Sequence, residues 1–390
     1  RKWSRNLTET RAISPNFGIM EQQSGANGWN TGMAAPTPKP GQMTLWTMQS
    51  IAHGADYVSF FRWRTATFGT EIYWHGLLDY DNLPNRKLAE LQKLHARVEA
   101  IQELAGADYL APVGLVKDYD NVFDSNLDAW HGKLTRSSEM ELFVGAQLAH
   151  APMDAVYLQE GVTVEDLKQY RVLFCPHQVI LTEAQAQLLE AYVRQGGCLI
   201  LAARTGQKDV DGHCVMKPMP GLLAPLTQTR VKEFTWIGPG DDPVPMDWDG
   251  RTLDTGLFND VLTATGEDAK VLARYGGDAW YAGEPALLET QAGKGRVLHF
   301  GGTLTRENVT AFLEYLGVLE PFGDLVQVPA ACEIALRRKG EQEYLIVLNY
   351  GKEPQEILLK RPVVDLDDRC PVEGPVVLGS YETKVYRIGG

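Results

Sequence analysis

The sequence is short of cysteine, short of positive charge and free of long apolar runs, and each shortage removes a class of protein. Its five cysteines, Cys175, Cys198, Cys214, Cys332 and Cys370, are odd in number and never spaced as CxxC. That argues against a disulfide framework or a structural zinc site, and for a reducing compartment. With 37 Lys+Arg against 50 Asp+Glu the formal charge is −13. Such a surface repels phosphate backbones and anionic headgroups, and no basic patch relieves it, so neither nucleic acid nor a membrane is an expected partner. No stretch reaches the roughly 18 consecutive apolar residues of a spanning helix, and nothing repeats at a solenoid period. Arg1-Lys2-Trp3-Ser4-Arg5-Asn6 carries basic charge with no apolar core behind it, so it does not read as a signal peptide, and the chain lacks an initiating Met. A cytoplasmic location is the expectation, a leader ahead of Arg1 being the alternative.

What is present is ordinary globular material, 44% hydrophobic and 22% charged over 390 residues, enough for two or three domains. Phe17-Gly18-Ile19-Met20 is an apolar run ending in the polar cluster Glu21-Gln22-Gln23, the pattern of a buried strand whose C-terminal end meets solvent. After a loop rich in Gly, Asn and Pro, Met43, Leu45, Trp46, Met48 and Ile51 recur at helical spacing up to Gly54. Tyr57 to Arg64 reads as a strand by its aromatic and β-branched content. Asn85 then caps a helix with Leu88, Leu91, Leu94, Val98, Ile101 and Leu104 on one face, ending at Gly106. Beyond it, Val113 to Val116, Ala155 to Leu158, Val172 to Cys175 and Cys198 to Ala202 are short continuous apolar runs, as in strands of a parallel sheet buried on both faces. Thr182-Glu183-Ala184-Gln185 is a capping box, and Arg296 to Phe300 with a helix around Val309 to Leu316 closes this α/β domain. Short strands at hairpin spacing follow at Ala335, Tyr344 to Leu348, Glu356 to Leu359 and Thr383 to Tyr386, a small antiparallel β domain.

Chemistry gathers in the first segment. Glu21 ends one predicted strand, Trp29 follows in the loop, and Glu71 and His75 follow the second strand. In a barrel of parallel strands such groups converge on one mouth. A carboxylate at a strand end beside a Trp suits an oxocarbenium-like sugar carbon, with Glu71 and a His or Arg binding hydroxyls. The plainer reading makes Glu21 and Glu71 loop carboxylates paired with Arg62 and Arg64.

Met20-Glu21-Gln22-Gln23-Ser24-Gly25 with Trp29, Pro40-Gly41 and Leu45-Trp46 closely resembles the seventh and eighth barrel units of glycoside hydrolase family 42 β-galactosidases. So does Ala52-His53-Gly54-Ala55-Asp56 leading to Phe61-Arg62-Trp63-Arg64, Glu71 and Gly76-Leu77-Leu78. Val193 to Leu201 with Arg204-Thr205-Gly206 is similar to the family's middle domain. The resemblance implies an α/β multidomain chain: residues 1–106 as the last βα units of a TIM (β/α)8 barrel, 107–323 as a doubly wound, flavodoxin-like or amidotransferase-like trimerisation domain, and 324–390 as a C-terminal antiparallel β domain. It implies hydrolysis of terminal β-D-galactosides with retention, Glu21 as nucleophile, Trp29 and Phe61 as apolar walls, Glu71 as a hydroxyl-binding carboxylate, and a homotrimer. The family often places a histidine three residues after that Glu, where this chain has Trp74; His75, one later, is the histidine assigned here. No cofactor and no metal are implied. The family's acid/base carboxyl lies on an earlier strand, upstream of Arg1, and a whole barrel takes roughly 250 residues. The chain is therefore expected to be a C-terminal portion that carries the nucleophile without the acid/base and is inactive alone; the alternative is a non-catalytic trimerisation fragment.

Weaker signals yield to structural readings. Cys175-Pro176-His177 at a strand end lacks the small residues a nucleophile elbow needs. Asp209-Val210-Asp211-Gly212 opens like a calcium loop without its closing Glu and reads as a polar turn. Gly196-Gly197 and Gly301-Gly302 lack the spacing of a dinucleotide fingerprint.

Overall fold

The computed structural model describes residues 2–389 as two compact units, Arg1–Leu110 with Glu320–Gly390 and, between them in sequence, Ala111–Leu319. Among the described residues no helix is long and apolar enough to cross a membrane.

The first unit begins with helix α1 (Lys2–Ile13), strand β1 (Phe17–Gln23), the hairpin β2 (Asn27–Trp29) and β3 (Gly32–Ala35), helix α2 (Gln42–Ala52), strand β4 (Ala55–Phe61) and helix α3 (Arg86–Ala100). β1 and β4 pair in parallel with α2 between them in sequence. Asn85 caps α3 as expected, its Oδ1 accepting from the Lys87 amide at 2.9 Å and the Leu88 amide at 3.2 Å. A short strand β5 (Asp108–Leu110) leaves this segment.

The second unit contains β6 (Val113–Lys117), α4 (Tyr119–Leu127), α5 (Ala129–Leu148), β7 (Met153–Tyr157), α6 (Val164–Leu167), β8 (Val172–Cys175), α7 (Glu183–Arg194) and β9 (Cys198–Leu201). It continues through α8 (Ala224–Thr227), β10 (Thr229–Trp236), β11 (Pro245–Trp248), β12 (Arg251–Asp254), β13 (Phe258–Ala264), β14 (Ala269–Tyr275), β15 (Pro285–Ala292), β16 (Gly295–Phe300) and α9 (Arg306–Tyr315). One sheet of nine strands runs β12-β11-β14-β15-β16-β9-β8-β6-β7. Its parallel part, read from β7, follows chain order 2-1-3-4-5, that of flavodoxin-like sheets. β6, β8 and β9 are buried at every position, which is why they read as unbroken apolar runs. The Thr182 capping box forms: Thr182 Oγ1 accepts from the Gln185 amide at 3.1 Å, and Gln185 Oε1 from the Thr182 amide at 3.0 Å. The sequence reading had no strands between Ala202 and Arg296; the structure has six there, four antiparallel in the main sheet and β10 paired with β13 apart from it.

The chain then returns to the first unit with α10 (Glu320–Gly323), β17 (Val326–Gln327), β18 (Cys332–Lys339), β19 (Gln342–Asn349), β20 (Gln355–Asp365), β21 (Cys370–Leu378) and β22 (Thr383–Ile388). β18 and β19, a hairpin, pair on one side with β5 and on the other with β22. Because Leu110, Tyr109 and Asp108 pair with Leu336, Arg337 and Arg338, the sequence boundary placed after 106 cuts off a strand that the last sheet uses. One core takes in Leu45, Met48, Leu94 and Ile101 from the early helices with Ala335, Ile346, Leu348 and Val385 from the late strands. Inside this unit His53 Nε2 lies 2.7 Å from Glu333 Oε1, Ser4 donates to Glu333 Oε2 at 2.8 Å, and Tyr350 donates to the same carboxylate. Arg97 forks onto both oxygens of Asp367 at 2.7 Å.

Candidate active site

The carboxylate of Glu21 owes its direction to an irregularity in β1. Ile19 pairs with Val58 and Gln22 with Phe60, so Met20 and Glu21 together face the single residue Ser59. Such a bulge re-aims side chains at the edge of a ladder. Met20 and Glu21 are exposed while Ile19 and Gln22 on either side are buried. Among the described residues the Glu21 carboxylate has no hydrogen-bond or ion-pair partner.

Two loops follow these strands and are tied to each other. Ser24 Oγ donates to the Phe61 carbonyl at 2.7 Å, the His75 amide to Ala26 O at 2.8 Å and the Asn30 amide to Thr70 O at 3.0 Å. The second loop folds back on its own start, Leu77 N donating to Arg62 O at 2.7 Å and Leu78 N to Trp63 O at 2.8 Å. Gly25 and Gly76 permit this approach: a Cβ at Gly25 would meet the His75 carbonyl at 2.5 Å, and one at Gly76 the Arg62 carbonyl at 2.6 Å. Arg62 governs the loop's polar side. Its Nη1 reaches Glu71 Oε2 at 3.2 Å, its Nη2 donates to Glu71 O at 3.0 Å, and its guanidinium lies 5.0 Å from the centre of the Phe61 ring.

The aromatic side is built from three segments. Trp29 and Trp74 have ring centres 5.6 Å apart, and Phe61 meets Trp74 edge-on at 5.8 Å, both within the range of favourable ring pairs. Trp29, Phe61 and Trp74 are thus one cluster, and Glu71 joins it through Arg62. His75 has other partners. Its Nδ1 is 3.2 Å from Asp79 Oδ1, its ring meets Tyr80 at 5.4 Å, and it lines a pocket of ≈ 340 Å³ with Arg86 and Lys87. Burial acts to raise the Asp79 carboxyl, but the Tyr80 amide and His75 outweigh it and hold it below the usual range. Burial also lowers Lys87, whose ammonium donates to the Gly76 carbonyl. The Arg62–Glu71 ion pair of the plainer sequence reading is present. The family resemblance assigned His75 where Trp74 stands at the offset of three from Glu71, and it is Trp74 that meets Trp29 and Phe61.

Elsewhere the weaker candidates are structural. Cys175 is fully buried and burial pushes its thiol up, away from nucleophile character. Burial takes His177 below its ordinary 6.5, to about 4. Its Nδ1 donates to Ala203 O at 2.7 Å, and its Nε2 accepts from Ser138, whose oxygen accepts from the Leu304 amide at 2.9 Å. Asp209, Asp211 and His213 bring potential ligand atoms within 4.8 Å of one another, but Asp209 Oδ1 already accepts from the Asp211 amide at 3.0 Å and the His213 amide at 2.9 Å, as in a polar turn.

Two family models match in chain order, "Beta-galactosidase" over residues 2–101 and "Beta-galactosidase trimerisation domain" over 146–318. Among curated proteins the chain is similar to β-galactosidase BgaA of Clostridium cellulovorans, 30% identical over 87% of this chain and 50% of that protein. It is also similar to BgaH of Haloferax lucentense, 29% identical over 92% of this chain and 53% of the relative. The chain thus spans about half the length of the curated relatives it matches. Among solved structures, Gan42B, a GH42 β-galactosidase from G. stearothermophilus, superposes with a TM-score of 0.85 at 21% identity, over 99% of this chain and 56% of that one. The β-galactosidase from Bacillus circulans sp. alkalophilus does so with a TM-score of 0.84 at 22% identity, over 99% and 57%. Those two likenesses speak for the fold, while the family models and curated relatives add kinship: the chain belongs to glycoside hydrolase family 42.

Proposed function

We propose that this chain carries the nucleophile side of a retaining β-galactosidase active site, with Glu21 as nucleophile and Trp29, Phe61 and Glu71 around the sugar. The supporting observation is the bulge that turns an unpaired carboxylate outward near the end of β1, one strand from Phe61. A Glu21 oxygen bonds to the anomeric carbon as the bond from that carbon to the aglycone oxygen breaks, and the aglycone leaves with the electron pair and takes a proton from an acid. Water then displaces Glu21 and yields a proton to the same group acting as base. That group stands about 5–5.5 Å from the nucleophile in a retaining enzyme. Glu71, already held by Arg62, suits binding of hydroxyls instead. His75, the histidine the resemblance assigns to the subsite, has its Nδ1 engaged with Asp79. The acid is therefore supplied from outside these residues, and an aglycone that needs protonation is not released by this chain alone.

A dinitrophenyl β-galactoside with fluorine beside the anomeric carbon isolates the first step, because its leaving group departs without a proton. The wild-type chain is expected to gain one fluorogalactosyl group on Glu21, located by peptide mass, and the Glu21→Gln variant none. An unlabelled wild-type chain, or a labelled variant, overturns the assignment. Turnover of lactose by the chain alone contradicts the external acid.

The match of residues 146–318 to a trimerisation domain supports a second role, homotrimer assembly. Sedimentation at micromolar concentration is expected to give a trimer, and a strict monomer counts against it.

A further inference from the structure

Trp74 joins the two rings assigned to the sugar and has so far been given no role. Its place is fixed by the backbone around it. The Trp74 amide donates to Glu71 O at 3.0 Å, Arg62 donates to Glu71 O, and the next residue's amide is held by Ala26 O. The loop therefore delivers the indole between Trp29 and Phe61, while Trp29 stays 43% exposed and Trp74 only half-buried. Apolar rings left open at the end of the strand that pairs with the one bearing the unpartnered Glu21 form a surface fitted to a ligand with an apolar face.

We infer that Trp74 is a substrate-contacting residue that selects the configuration at C4 of the sugar. This rests on the reading of Glu21 as nucleophile. A galactopyranose with axial O4 gathers the hydrogens of C3, C4 and C5 on one face, an apolar patch that an indole covers without stranding a hydroxyl. The glucose epimer has an equatorial O4 and lacks that arrangement. Contact with a ring contributes through area and quadrupole, so discrimination by it is modest, about two- to tenfold for one ring, and not the 10⁴ or so of a site built to hydrogen-bond the missing group.

The test uses the full chain, the fluorinated dinitrophenyl galactoside and its glucose epimer, with second-order labelling rates at Glu21 for wild type, Trp74→Ala, Trp74→His and Trp74→Phe. Wild type is expected to favour the galactoside. Trp74→Ala and Trp74→His are expected to lower that preference about two- to tenfold, and Trp74→Phe to retain most of it. Should Trp74→Ala fail to fold by thermal melt, Trp74→His carries the same reading. A preference that is unchanged in folded variants, whether both rates fall together or neither falls, overturns the role of Trp74 and leaves Glu21 standing. A wild-type chain that is not labelled at Glu21 removes both.

Discussion

Glu333 gathers His53, Ser4 and Tyr350 around one carboxylate in the core of the first unit, where its own exposure is 5%. Burial acts to raise this carboxyl, and His53, Tyr350 and Ser4 outweigh it and hold it below its ordinary value. Removing the carboxylate leaves His53 Nε2 buried without its partner, while Ser4 keeps Gln49 and Tyr350, so Glu333→Ala is expected to cost about 3 kcal/mol, read as a lower denaturant midpoint, with Glu333→Gln milder. An unshifted midpoint in Glu333→Ala would show that the cluster contributes nothing. None of this was legible in the sequence, because apolar spacing reports which face of an element is buried and says nothing about which residue 280 positions away will meet His53. The site shows the same limit at shorter range. The strand ends that bear Glu21 and Phe61 follow from pattern, whereas the exchange of His75 for Trp74 beside the aromatic rings depends on how one loop closes on itself.

The elements that could be read share strong local signals. Asn85 and the Thr182–Gln185 box mark helix starts because a side chain there replaces a missing backbone partner. Thr182→Ala is accordingly expected to lose about 1 kcal/mol, seen as a lower unfolding midpoint; no shift would mean that water serves the freed amide as well. The elements that escaped have blurred signals. α1 buries Ser4, Leu7, Thr8 and Arg11, a stripe at helical spacing made mostly of polar residues, so no apolar period marks it. β14 carries two register shifts against β15, and each breaks the alternation by which a strand is recognised. β15 is buried at six successive positions from Pro285 to Thr290, a run that hides its period of two.

Across the whole molecule, acid should act first on the second unit. Burial holds His177 at about 4 and His299 at about 3, against 6.5 for the ordinary imidazole. Both are therefore neutral when folded and take up protons only on unfolding. Their contribution is complete above pH 6.5 and is lost as pH falls toward 4 and then 3, on the order of 3 kcal/mol for His177 alone. Burial raises the Asp118 and Asp260 carboxyls, which acts in the opposite sense, so thermal melts are expected to lose more stability between pH 7 and pH 4 in the wild-type chain than in His177→Gln. Equal losses in the two would contradict a buried neutral His177. The three-part order read from the sequence followed composition along the chain, which cannot register that its first and last parts share a core.

That shared core sets a timetable for synthesis. The second unit is continuous in sequence and has every strand it needs once α9 has been made. The first unit has α2 and α3 early, with Leu45, Met48 and Leu94 in a core that is completed by residues of β18, β19 and β22. A ribosome stalled before Cys332 would therefore hold a finished middle unit joined to an unfinished first one, its apolar helices uncovered and open to chaperones or to aggregation.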